Sequence, residues 1–404
     1  MNKIFYILWF FVPFINNAQY NELLTRKDSS RLPGILMFDV DNLSFIKDNE
    51  YFNLIADGYT LFGHQAGISL KYKAQPNYQF TAGLFALKYF GTENFEPVVP
   101  FVGLEIKKGN SRFYFGKLYT DDFHQLSGEI YAFERLLDRR RIEHGLQHRF
   151  KNTHWQTDTW LEWEHFIHKG DNLRERLNFG QTTTFRQHFG NWRWKIPLQI
   201  YLQHRGGQIN VRTNPGNVNN AIVIANTSIG LSIENKPDNR ISAGVKYQYF
   251  RHDINTDNPE ELLFKSGYAH KMQIFVTYKH WQTFVAYWDA NRFVAPKGDD
   301  MFQTVSRRVE KYTDNQNQPV SVFKYHTEPH RRLISLTATY QNEIFKNLNL
   351  AFVLNAYYQL NRSSIQTPYY HSEVYQHWDY ALGLYLQYRF DFKIMKPSSL
   401  NKTE

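Results

Sequence analysis

The chain has 404 residues, 47 Lys and Arg against 38 Asp and Glu, and no Cys. Zero Cys removes disulfides and thiolate chemistry, and a net charge of +9 not gathered into a tail makes nucleic acid an unsuitable partner. Aromatics reach 17%, mostly Tyr and Phe, which suits strands and membrane interfaces. No apolar run attains the roughly 18 residues of a membrane helix.

Residues 1–18 read as a secretory signal peptide. Lys3 supplies the charge, Ile4 to Ile15 the apolar run, and Ala18 the residue before the cut. Residues 19–33 form a polar lead-in expected in the periplasm. From Gly34 to Phe392 the chain alternates apolar and polar residues in segments broken by turn signals, which predicts strands.

Strand one is predicted near Ile35–Phe45, with Leu36, Phe38 and Val40 in one phase. Further segments follow at Tyr59–Lys73, Tyr78–Phe90, Val98–Lys107 and Arg112–Tyr119. After a long non-alternating stretch, Asp121–Arg141, strands resume at Glu143–Phe150, Trp155–His168 and Glu175–His188. The ninth begins at Trp192, the tenth is Ile222–Glu234, and the eleventh runs from about Arg240 to Tyr249. Then come Gly267–Lys279 and Gln282–Arg292, a second polar stretch from about 294 to 330, and strands at Leu333–Gln341 and Leu348–Leu360. The last, Trp378–Phe392, is the most regular: Leu382, Leu384 and Leu386 take one face, Gln387 and Arg389 the other. Residues 393–404 are a polar tail.

Short turns alternate with longer polar loops, the plan of a transmembrane barrel with short periplasmic turns, long external loops and periplasmic termini. The expectation is an all-β, transmembrane, antiparallel up-and-down barrel of about sixteen strands in the outer membrane. In this pattern the segment 34–392 resembles porin-like outer-membrane β-barrels of Gram-negative bacteria. The last strand is similar to the terminal strand read by the barrel assembly machinery, although Lys393–Glu404 continue beyond its final aromatic.

That resemblance implies a channel for passive or weakly selective passage of small polar solutes. Candidate lumen residues follow from strand phase. Arg193, Lys195, Arg240, Lys246, Lys271, Lys279 and Arg389 make one basic set, and Asp158, Glu162 and Glu164 an acidic one. The stretch Asp121–Arg141 holds Ile130, Phe133, Leu136 and Leu137 at helical spacing. It is expected to fold into the barrel mouth and narrow it. Arg135, Arg139, Arg140 and Arg141 would then favour anions at the constriction. An external lid or partner-binding loop, its arginines paired with nearby acids, is the competing reading of this segment.

No phosphate loop, nucleophile elbow or zinc helix stands in a convincing context. His144 and His148 are too few for a metal site, and Asp39, Asp41 and Asn42 lack the rest of a calcium loop. The chain therefore reads as no enzyme, with no cofactor and no metal. Two alternatives stay open. One is a non-conducting barrel subunit or scaffold, in a homo-oligomer or with a complex partner. The other is an outer-membrane enzyme that modifies lipid, marked by a Ser–His hydrogen bond at the lipid edge.

Overall fold

The computed structural model describes residues 33–168, 171, 174–206, 222–238, 240–256, 264–313, 319–361 and 377–395. The expected signal peptide, nearly all of the lead-in and most of the polar tail lie outside these residues.

Among the described residues eighteen strands are formed. They are β1 Ile35–Glu50, β2 Tyr59–Gln75, β3 Tyr78–Tyr89, β4 Val99–Lys108, β5 Ser111–Lys117 and β6 His144–Lys151. Next come β7 Trp155–His165, β8 Glu175–Phe189, β9 Trp192–Gly206, β10 Ile222–Asn235, β11 Ile241–Thr256 and β12 Ser266–Tyr278. The last six are β13 Trp281–Asn291, β14 Val305–Thr313, β15 Pro319–Thr327, β16 His330–Phe345, β17 Leu348–Gln359 and β18 Trp378–Met395. All but β14 and β15 join one closed antiparallel barrel, in which β1 pairs with both β2 and β18. Sixteen strands thus close the sheet, and closure leaves no unpaired edge for hydrocarbon to strand.

The alternation in the sequence becomes an outside and an inside. On β18, Leu382, Leu384 and Leu386 are exposed while Ala381, Tyr385 and Gln387 are buried. Exposed rings collect toward both rims. Tyr72, Tyr78, Trp155, Trp192 and Phe345 stand toward the short-turn end, and Phe62, Phe90, Trp163, Tyr268 and Trp378 toward the long-loop end. An apolar band between aromatic girdles is the outer-membrane pattern, so the short turns are periplasmic and the long loops external. The protein is an outer-membrane barrel.

Two expectations need correction. The polar stretch 294–330 contains β14 and β15, paired in a separate hairpin. Its mixture of charged residues hid the strands. β1 and β16 run further than predicted, because strands that extend into water lose the apolar phase that periodicity detects.

The outward phase of β18 can be tested. Leu384→Arg is expected to destabilise the barrel by about 2–4 kcal/mol if its row lies near the bilayer midplane. Urea unfolding in phospholipid vesicles measures this. An equal loss from replacing Leu384 with Ala would mean that lost packing, not a charge in hydrocarbon, sets the effect.

Candidate functional site

The interior is built before any chemistry can be placed. The segment 118–143, between β5 and β6, turns inward. Phe123, Leu126, Ile130, Tyr131, Leu136 and Leu137 are all buried. They join a single core with Trp160 on β7, Tyr201 on β9, Phe250 on β11, Trp288 on β13 and Tyr385 on β18. A second inward segment, between β13 and β14, adds Phe293, Met301 and Phe302. The two are tied by Ala132 N–H to Lys297 O (2.7 Å) and Asp299 N–H to Gly128 O (2.9 Å).

An inward loop has backbone groups to satisfy. The inward polar phase of the wall supplies partners: Gln65 Nε2 donates to Leu136 O, Thr182 Oγ1 to His124 O, and Gln199 Nε2 to Gln125 O. Of the hydrophobic residues at helical spacing, Phe133, Leu136 and Leu137 fall in one 3-10 turn, Phe133–Leu137, Ile130 lies outside it, and a second 3-10 turn follows at Arg139–Arg141. The loop folds inward and packs the lumen with its apolar side chains.

The deepest polar contact is His124. Its ring stacks on Trp160 at 3.8 Å and 8°. Nδ1 lies 3.2 Å from Asp158 and Nε2 3.0 Å from Glu143. Trp160 lies flat because Gly180 leaves it room; a Cβ there would stand 2.1 Å from its ring. Burial alone lowers an imidazole pKa, but the Asp158 and Glu143 carboxylates outweigh it and push His124 up to about 10. Phe123, His124 and Gln125 all take positive φ, uncommon for side-chain-bearing residues and held here by the packing. With no exposed surface, His124 cannot meet a lipid. It latches the plug.

Several of the predicted lumen residues serve the plug as well. Lys271 pairs with Glu129 and Lys297 with Glu164 (2.6 Å), while Glu162 accepts from Asn178 (2.7 Å). Arg135 packs over the Tyr131 ring, 3.7 Å from Glu143. Arg141 holds Gln65 and Asp41, and Arg389 holds the same Asp41. Arg193, Lys195 and Lys246 face inward on β9 and β11, Lys195 lying 3.8 Å from Glu234. Arg139 and Arg140 are exposed, and Arg140 pairs with Asp138. Arg240 and Lys279 fall in periplasmic turns and do not line the lumen. Their alternation continued past the strand ends. With so filled an interior, the purified protein in a planar bilayer is expected to show no steady porin-size conductance; regular open steps would reveal a path past the plug.

The outer wall carries the other polar arrangement. Ser44 on β1 and His64 on β2 are register partners, and Ser44 Oγ lies 2.9 Å from His64 Nδ1. Both belong to the outward phase. Phe45 and Gln65 beside them point inward and are buried, while Ile46 and Phe62, the next outward pair, are exposed. The row continues to Leu386 on one side and Lys88 on the other. Lys88 Nζ donates to the carbonyls of Thr92 and Asn94 in the external loop. Toward the periplasm the next row is Asn42, Ala66 and Ala86; above Ile46 and Phe62 stand Asp48 and Thr60. The pair therefore sits in the external half of the membrane, about 13 Å along the strand from Asp48.

A family model for lipid A 3'-O-deacylase-type proteins matches residues 26–397. The chain belongs to the lipid A 3'-O-deacylase-type family. The expectation that it is no enzyme is thereby overturned: this is an enzyme family, and its chemistry left no short motif in the strands. Compared with curated proteins, this family member has no match. Among solved structures it is similar to OccAB1 of Acinetobacter baumannii, with 8% identity over 91% of this chain and 100% of the other at a TM-score of 0.49. It is also similar to the trimer form of OmpT from Vibrio cholerae, with 11% identity over 89% and 100% at a TM-score of 0.48. A third likeness, to an anion-selective porin from Comamonas acidovorans, has 8% identity over 88% and 98% at a TM-score of 0.47.

Ser44 and His64 were missed by strand-phase reasoning directed at the lumen. Their signal was a polar break in a lipid-facing phase: Leu36, Phe38 and Val40 are followed by Asn42 and Ser44.

Proposed function

We propose that this family member is an outer-membrane enzyme that cleaves an acyl ester of a lipid A-type glycolipid, with Ser44 as nucleophile and His64 as general base. The observation that carries the reading is the 2.9 Å Ser44 Oγ–His64 Nδ1 hydrogen bond on the lipid-facing wall. Polar and ionisable side chains facing hydrocarbon are costly and mark function by default. Family membership supplies the bond to be broken, a lipid ester. The packed interior favours this reading over solute passage.

The geometry supports an acyl transfer. With Nδ1 unprotonated, His64 takes the Ser44 proton as Oγ attacks the ester carbonyl carbon. Asn42, two residues before Ser44 on the same face of β1, would donate to the developing oxyanion. The imidazolium then gives its proton to the departing sugar oxygen, the C–O bond breaks, and the acyl group stays on Ser44. Water, deprotonated by His64, releases the fatty acid and restores the hydroxyl. Ala66 and Ala86 have short side chains, which let an acyl chain lie close to the strands below the dyad.

The test is incubation of the purified protein with lipid A in detergent micelles, followed by mass spectrometry. One acyl chain fewer, with the matching free fatty acid, is expected. Unchanged lipid A, and no fatty acid from other ester-linked glycolipids, would reject the reading.

A further inference from the structure

A second polar pair interrupts the lipid-facing wall, on other strands and toward the other leaflet. His148 on β6 brings Nε2 to 3.1 Å from Ser111 Oγ at the start of β5. Its ring stacks on Phe113 at 4.5 Å. Beside it the wall is indented by a groove of ≈ 360 Å³, lined by Ile106, Phe113, Phe115, Leu146 and Leu161 with His148 at its edge.

The outward rows here are ordered by polarity. Nearest the periplasmic turn, exposed Lys108 pairs with Ser111. The next row is Ile106, Phe113 and His148, and the one above it Leu104, Phe115, Leu146 and Leu161. Each step of two residues moves about 7 Å along the tilted strand. A cation and a hydroxyl come first, then an imidazole among apolar side chains, then a wholly apolar row.

We infer that this groove binds an acyl chain of a glycerophospholipid from the periplasmic leaflet, with the Ser111 hydroxyl, which accepts from His148 Nε2–H, donating to its ester carbonyl and Lys108 beside its phosphate. Phosphate, glycerol ester and acyl chain follow one another in such a lipid in the same order and on the same length scale. The groove lies in a wall already in contact with that leaflet, so its occupant needs no path from water. Ser111 meets one nitrogen of the His148 ring, and the proton of the Ser111 hydroxyl then needs an acceptor, which a lipid ester carbonyl supplies. The site uses no residue of the Ser44–His64 pair and stands whether or not that pair is catalytic.

The probe is phosphatidylethanolamine with a photoreactive diazirine in one acyl chain, mixed into phosphatidylethanolamine and phosphatidylglycerol vesicles that hold the full barrel. Labelling is expected to concentrate on peptides carrying Phe113, Phe115 and Leu146, and to fall at least tenfold in Leu146→Trp, which fills the groove. His148→Phe keeps the ring stack, removes the hydrogen bond and is expected to lower labelling while the barrel retains its heat-modifiable gel mobility. Even labelling around the wall, including Ile229 and Ile274, would overturn the site, as would unchanged labelling in both variants. Displacement of the probe by lipopolysaccharide as readily as by unlabelled phosphatidylethanolamine would overturn the choice of phospholipid.

Discussion

Ser44→Ala is expected to lower acyl release by at least about 10²–10⁴-fold, the range that general-base catalysis contributes, since without the hydroxyl the base has nothing to act on. The side chains around it offer no replacement hydroxyl: the neighbouring outward positions are Asn42, Ile46, Ala66 and Leu386. His64→Ala should cost a similar factor, since the serine then keeps its proton. The double variant should be little worse than either single one, because the two groups act as a unit. The loss should appear in kcat, with KM nearly unchanged, as neither side chain is needed to hold the lipid. Both residues face outward, so folding, read from heat-modifiable mobility, should persist. Turnover by Ser44→Ala near that of the parent protein would remove the serine from the mechanism.

The second large effect concerns the plug. His124→Ala leaves Glu143 and Asp158 buried without the cation between them and strips one face from Trp160. Breaking a buried pair in this way costs about 3–5 kcal/mol. The sign of the pH dependence follows from the same contacts. His124 is raised in the folded state to about 10, so its stabilisation is complete below the ordinary imidazole range and is lost as pH rises toward 10. For Glu143, burial opposes ionisation, but its hydrogen bond to His124 holds it below the usual carboxylate range. Its contribution is therefore present above that range and lost in acid. Buried Asp122, raised by burial, faces the same cluster and accepts from Arg149. Hydrogen exchange of residues 122–141 should be slowest between these limits and faster at both ends. A flat profile in the parent protein, or one unchanged by His124→Ala, would dissociate the latch from this ion cluster.

Most of the barrel was legible because period two is a local property. The faces of β18 follow from its own residues, as do the inward positions of Arg193, Lys195, Lys246, Lys271 and Arg389. What those charges meet is not local. Lys271 finds Glu129, 142 residues away, only once the plug is docked. The inward turn of 118–143 could be suspected from its apolar side chains, whereas the Gln and Thr residues that satisfy its backbone resemble any solvated lumen wall. Ser44 and His64 were the hardest to read. A short polar side chain in a lipid-facing phase is a small departure in one strand, and its meaning depends on the neighbour that closure sets beside it.

Period two gives β1 two unlike duties at adjacent positions. Asp41 points inward, held by Arg141 of the plug and Arg389 of β18, while Asn42 and Ser44 point to lipid. A slip of one residue would exchange the faces, setting Phe45 where Ser44 stands and turning the hydroxyl toward the core. No small rotamer adjustment could repair that error. The spacing between the proposed nucleophile and base is thus dictated by strand alignment, and the two arginine clamps on Asp41 inside the barrel act as a gauge for the chemistry proposed on its outside.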